Sequence, residues 1–202
     1  MAASTCTETA LAVDDVTGIR GGRMLFRGLS FSVAAGQALA VEGANGAGKT
    51  SLLRMIAGFI APAAGTIRFG DIEDGEERGK RVGWLGHHDA VKAQMTVRET
   101  LAFFARLHGG GEVGSAMETV GLARLADLPG QYLSAGQRKR VSLARLLLVA
   151  RPLWLMDEPL ASLDAAGKTI AASLIAAHVA SGGVAVVATH EPLGIPCERL
   201  AL

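Results

Sequence analysis

The chain is poor in aromatic residues, 4% of 202, and has only two cysteines. Cys6 and Cys197 offer neither metal-ligand spacing nor a disulfide framework, so they read as ordinary reduced thiols. Long apolar runs are also missing. Half of the residues are hydrophobic, but much of that share is alanine, and no run approaches the roughly 20 residues of a membrane-spanning helix. The apolar stretches at 146–150 and 183–189 are short and flanked by Arg145, Arg151 and His190. They read as core segments, and the chain is expected to be soluble. Its start carries no basic segment followed by an apolar one, so no export signal is expected. An excess of one charge is absent too: 20 Lys and Arg face 19 Asp and Glu, for a net +1. That balance argues against a broad nucleic-acid-binding face. With no internal repeat and no long linker, residues 1–202 read as a single domain.

What is present is an alternation of strand-like and helical segments. Residues 11–16, 29–33 and 37–42 read as strands. Residues 50–57 carry Leu52, Leu53 and Ile56 at helical spacing and stop at Gly58. Segments 65–69 and 81–85 read as strands joined by the charged stretch 71–80, expected to be a solvated turn. Thr96 opens a helix, with Glu99 at capping-box spacing and Val97, Leu101 and Phe104 on one face. After the glycines at 109–111, a shorter helix is expected over 117–128, ended by Pro129 and Gly130. Ser134 begins another, reaching about 149. Residues 153–156 and 184–188 read as buried strands separated by a helix over 165–180. Buried runs alternating with helices imply an α/β fold, a mainly parallel sheet covered on both faces.

Two segments carry phosphate chemistry. Gly43-Ala44-Asn45-Gly46-Ala47-Gly48-Lys49-Thr50 fits the G-x-x-x-x-G-K-[ST] pattern, after an apolar strand and at the opening of a helix. Glycines let backbone N–H groups wrap phosphates, and the helix start adds a positive field. Lys49 is expected to reach the β- and γ-phosphates, and the Thr50 hydroxyl to ligate Mg²⁺, with Ser51 alongside. The second segment, Pro152-Leu153-Trp154-Leu155-Met156-Asp157-Glu158, is an apolar strand ending in two carboxylates at the sheet edge where ligands bind in open α/β folds. Asp157 is expected to hold Mg²⁺ through water, and Glu158 to polarise the attacking water.

Leu133-Ser134-Ala135-Gly136-Gln137, followed by Arg138-Lys139-Arg140, narrows the choice. This segment resembles the signature of the ATP-binding-cassette ATPases, usually Leu-Ser-Gly-Gly-Gln. Read without the family, it is a helix start whose hydroxyl and N–H groups suit an anion. The resemblance implies that Ser134, Ala135, Gly136 and Gln137 act in trans, on the γ-phosphate of ATP held by a second copy. It also implies that Ser162-Leu163-Asp164 is the dimer-interface loop and His190 the switch histidine, catalytic with Glu158 and Lys49. The fold it implies is a P-loop NTPase of RecA-like type, with a mainly parallel core, an antiparallel β edge and a small helical subdomain. Residues 1–87 and 150–202 would form the nucleotide-binding core, and 88–149 the helical subdomain.

Two positions depart from the family pattern. His87 stands where most members carry Gln, and the resemblance assigns it that role near the nucleotide; the alternative is an exposed loop histidine. Arg20 stands where an aromatic usually stacks on adenine, and a guanidinium plane can also stack. These departures, with residues 43–54, Leu85-Gly86-His87 and the Ala in 133–137, resemble the haem-exporter branch of bacterial cytochrome c biogenesis. That resemblance implies a homodimeric ATPase with ATP and Mg²⁺, membrane-embedded partner subunits, a peripheral position at the cytoplasmic face of the inner membrane, and release of a haem-loaded chaperone. No nucleic acid and no direct haem binding are expected, and His87, His88, His108 and His178 are not read as haem ligands. Within the family the alternative is a transporter ATPase for an ion, a lipid or another small molecule.

Overall fold

The structure, a computed structural model, describes residues 9–87, 89 and 91–202. Cys6, His88 and most of the stretch considered for an export signal lie outside the described residues. Among the described residues eight strands and six α-helices follow one another in chain order. β1 (Thr9–Arg20) and β2 (Arg23–Ala34) form an antiparallel hairpin joined through Gly21 and Gly22. Both glycines have positive φ, 58° and 76°, the conformation a two-residue hairpin turn of the I′ type requires. β4 (Ala64–Phe69) pairs with β1 to complete a three-stranded antiparallel sheet. β3 (Ala38–Glu42), β5 (Val82–Leu85), β6 (Leu153–Asp157), β7 (Val184–Ala188) and β8 (Glu198–Ala201) form a second sheet, ordered β5-β6-β7-β3-β8 and parallel throughout.

The parallel sheet is buried on both faces, and the side-chain alternation shows it. Leu153 and Leu155 of β6, with Val184 and Val186 of β7, enter one core. Trp154 and Met156, with Ala185 and Val187, enter the other. The first core is closed by α1 (Lys49–Ile56), held between the two sheets. The second is closed by α3 (Val97–His108), α4 (Val113–Thr119), α5 (Ala135–Leu147) and α6 (Ala165–Ala180). Period-two strands with apolar residues at every position fit only such a doubly covered sheet. Among the described residues no helix is long and apolar enough to cross a membrane.

Three local expectations change. The stretch 71–80 is not a solvated turn. It holds α2 (Gly75–Gly79), capped by the Asp74 carboxylate, which accepts from Glu77 N at 2.9 Å. Its Arg78 is buried at 4% exposure; the charge density of the segment hid one side chain that turns inward. The helix expected over 117–128 instead lies earlier, as α4, followed by a 3-10 turn at Ala123–Leu125. Gly121, at φ 70°, breaks it where the apolar pattern alone runs on. β8 was not anticipated: it adds to β3 with only Leu200 packed on the core, so it lacks the apolar run of a buried strand.

Candidate active site

The loop between β3 and α1 carries Gly43, Ala44, Asn45, Gly46, Ala47 and Gly48. Gly46 and Gly48 adopt φ of 84° and 110°. These left-handed turns fold the backbone under the start of α1, whose Gly48 cap has no side-chain hydrogen bond. The first N–H groups of α1 are therefore left for an incoming anion. A Cβ on Gly48 would lie 3.1 Å from both Leu25 and Phe26, so the β1–β2 hairpin packs directly against the loop.

Lys49 is only 7% exposed. Its Nζ donates to the carbonyls of Gly43 at 2.7 Å and Ala44 at 3.2 Å, and lies 3.0 Å from His190 Nε2. The same imidazole nitrogen is 3.0 Å from Asn45 Oδ1 and 3.4 Å from Glu158 Oε1. Protonated at Nε2, His190 donates to Asn45 or Glu158; protonated at Nδ1, it accepts from Lys49. Three polar side chains, two from the loop before α1 and its first residue and one from the end of β6, thus meet at one imidazole. Glu158 follows β6 with φ 50°, an unusual conformation for a non-glycine residue and one that recurs at functional sites. Its N–H donates to Ala188 O at 2.9 Å, which ties the strained turn to β7.

The Thr50 hydroxyl donates to Asp157 Oδ2 at 2.9 Å, and Asp157 is 3% exposed. Thr50 and Asp157 join Lys49, Ser51, Glu158, Asn45, Gly46 and Gly48 around a cavity of about 610 Å³. Arg20 and His87 also line it, so both departures from the family pattern face the same space as the phosphate loop. Gly43, Ala44 and His190 line a second, smaller cavity of about 400 Å³.

The signature lies elsewhere. Ser134 caps α5 in a reciprocal box: its Oγ accepts from Gln137 N at 3.2 Å, while Gln137 Oε1 accepts from Ser134 N at 2.8 Å. None of Ser134, Ala135, Gly136 and Gln137 lines the cavity around Lys49. A Cβ on Gly136 would stand 2.7 Å from Ser162 O, so only glycine allows the loop after Glu158 to rest on the start of α5. Ser162 itself has φ 67°. Asp164 caps α6, accepting from Gly167 N at 2.8 Å and from Arg140 at 2.6 Å. Those two donors hold its carboxyl below the usual carboxylate range.

Leu25, Arg54 and Trp84 also line the large cavity and escaped the sequence reading. Leu25 was in principle accessible, because the Gly21-Gly22 turn sets it near Arg20 across the hairpin. Trp84 and Arg54 carried no signal, since each lies within an ordinary strand or helix pattern.

Comparison with known proteins agrees with this geometry. A family model described as ABC transporter matches residues 26–161. A cytochrome c biogenesis ATP-binding export protein CcmA from Rhodopseudomonas palustris (strain BisB5) is 50% identical over 186 residues, spanning 91% of this chain and 93% of its own. The protein of the same name from Paramagnetospirillum magneticum is 44% identical over 199 residues, spanning 94% and 92%. Among solved structures, a putative ABC transporter ATP-binding protein from Pyrococcus furiosus superposes with a TM-score of 0.84 at 23% identity, covering 95% of this chain and 96% of its own; that likeness speaks for the fold. The chain belongs to the ABC transporter family, as an ABC-type ATPase.

Proposed function

We propose that this chain is the ATP-hydrolysing subunit of a cytochrome c biogenesis export complex, the haem-exporter branch of its family. The observation that carries the catalytic part is the meeting of Lys49, Asn45 and Glu158 at the His190 imidazole, beside the cavity that Thr50 and Asp157 line. The branch is supported by relatives of 44–50% identity over nearly their whole length.

ATP would lie with its phosphates along the loop at 43–50, where backbone N–H groups and the start of α1 receive them. Lys49 would exchange its bonds to the Gly43 and Ala44 carbonyls for β- and γ-phosphate oxygens. The paired Thr50 hydroxyl and Asp157 carboxylate form a small all-oxygen donor set that would hold Mg²⁺. When bound, that ion neutralises charge building on the β- and γ-oxygens. Glu158 accepts a proton from a water as its oxygen attacks the γ-phosphorus. The bond from that phosphorus to the β–γ bridging oxygen breaks, and ADP and phosphate leave. His190 holds the γ-phosphate and the water in line, and His87 takes the position next to them that Gln holds in most of the family. Arg20 stacks on the base, with Leu25 beneath it.

The signature does not line this cavity, which supports a homodimer in which Ser134, Ala135, Gly136 and Gln137 of one copy complete the site of the other, with Asp164 in the loop between them. Residues 88–149 act as the helical lobe that engages membrane-embedded subunits at the cytoplasmic face of the inner membrane. Closure on ATP and reopening after hydrolysis would drive those subunits. Glu158→Gln is the test. It should abolish hydrolysis while leaving ATP binding and an ATP-dependent dimer, measured by phosphate release and light scattering. Retained turnover would remove Glu158 from the mechanism.

A further inference from the structure

His190 gathers Lys49, Asn45 and Glu158 at one ring nitrogen, yet packing does not hold that ring, because 45% of its side chain is exposed. Its aim is set by the backbone on either side. On one side stands Thr189, 1% exposed. Its N–H donates to Val41 O at 3.1 Å and so carries the pairing with β3 one residue past the end of β7. The Thr189 hydroxyl reaches past the histidine, donating to Glu191 O at 2.9 Å and accepting from Glu191 N at 3.0 Å. One hydroxyl thus closes the chain into a turn with His190 in the middle. On the other side Pro192 follows Glu191, which confines the Glu191 backbone to extended conformations.

The Glu191 carboxylate is held in turn by an ion pair with Lys168 of α6, between two partly exposed side chains. Folding stability does not account for this pair. Lys168 stands in the first turn of α6, which holds no acidic residue, and a cation is unfavourable at the positive end of a helix dipole. The Asp164 cap is already engaged by Gly167 N and Arg140. An ion pair between exposed side chains contributes little, and the dipole opposes even that. What the pair supplies is a fixed place for Glu191.

We propose that Thr189 and Lys168 are positioning residues for ATP hydrolysis: one holds the backbone of Glu191 and the other its carboxylate, and together they aim the His190 imidazole at Lys49 and Asn45. The proposal rests on the reading above in which His190 holds the γ-phosphate. Neither residue lines the cavity around Lys49; both act through His190. A ring displaced by about 1 Å loses hydrogen-bond range to its partners, and misplacement of that order costs up to about a hundredfold in rate.

The test uses the full chain with ATP and Mg²⁺. Phosphate release gives kcat and KM for the unaltered protein, Thr189→Val, Lys168→Met, His190→Ala, and the conservative variants Thr189→Ser and Lys168→Arg. NMR of histidine-labelled protein follows the His190 ring, whose resonance is identified by its loss in His190→Ala. Thr189→Val should lower kcat about tenfold and Lys168→Met about threefold, with KM within about twofold. Both should move the His190 resonance, although Thr189→Val leaves every charge in place. Thr189→Ser and Lys168→Arg should keep the resonance and most of kcat. If Thr189→Val fails to fold, Lys168→Met against Lys168→Arg makes the same comparison on an exposed side chain. An unmoved resonance would overturn the proposal, because any loss of rate would then arise elsewhere. A moved resonance with kcat unchanged, beside an inactive His190→Ala, would overturn it too. Full turnover in His190→Ala would instead remove the γ-phosphate reading of His190, and the proposal with it, even where the resonance moves.

Discussion

Arg78 Nε donates to the Ile56 carbonyl at 2.7 Å, so a residue of the short helix before β5 closes the far end of the phosphate-loop helix. The same guanidinium donates to Met55 O at 3.2 Å and Ile67 O at 2.8 Å, and also to Glu73 O. Among the described residues no carboxylate forms an ion pair with it, and burial pushes its pKa down from the ordinary value against the pull of Asp74 and Glu73. Four carbonyls and the negative end of the α1 dipole hold the charge instead. The contact is tight: Gly58, at φ 77°, would place a Cβ only 2.0 Å from Gly75 O.

Replacing Arg78 by Met keeps much of its volume but leaves those carbonyls without a donor. The expected loss is about 2–4 kcal/mol of folding free energy, read from urea unfolding. Arg78→Lys should fall between the two, because a single ammonium cannot span the same set of acceptors. An unchanged midpoint for Arg78→Met would mean that water replaces the guanidinium without cost.

His178 predicts an acid-side loss of stability. Its ring stacks on Trp154 with centroids 4.0 Å apart and planes at 3°, and its Nε2 lies 3.2 Å from Val184 O. Burial holds its pKa below the ordinary 6.5, against the pull of the Val184 and Pro152 carbonyls. A lowered folded-state pKa means that the unfolded chain binds the proton more readily. The contribution is therefore complete above the unfolded value and is lost as pH falls through the folded one. Unfolding free energy should drop as pH falls below the ordinary histidine value of 6.5, and the drop should shrink in His178→Phe, which keeps the stack and cannot titrate. An equal slope in both proteins would assign the acid sensitivity to another group.

His87 lines the cavity, which separates two readings of this position. As a polar group beside the γ-phosphate, it should be replaceable by Gln with little change in turnover. His87→Ala should lower kcat by about tenfold to a hundredfold while thermal stability stays within about 1 kcal/mol. A His87→Ala variant with full turnover would leave it a loop histidine.

Features governed by neighbouring residues were readable in advance. The Thr96–Glu99 capping box is present in full, with Glu99 N donating to Thr96 Oγ1 at 3.1 Å and Thr96 N to Glu99 Oε2 at 2.8 Å. The helix at Ala165–Ala180 and the strand at Val184–Ala188 fall where the apolar pattern put them. The same local rules failed at 71–80, where composition described the segment well and Arg78 badly. A charged side chain can be buried wherever enough carbonyls converge, and three of the four here come from α1 and β4 rather than from its own stretch.

By itself the sequence determined what a few residues decide locally: the glycine turns of the phosphate loop, the helix caps, the apolar strands and the carboxylates at the end of one of them. The tertiary structure alone decided which of these meet. His190 reaches Lys49 across 141 positions and Thr50 reaches Asp157 across 107, because β3, β6 and β7 lie side by side in one parallel sheet and deliver their loops to one edge. It also rested the start of α5, at Gly136, on the loop after Glu158 and set Asp89 against Lys139. Strand order and burial across the whole core set such distances, and no short stretch of residues encodes them.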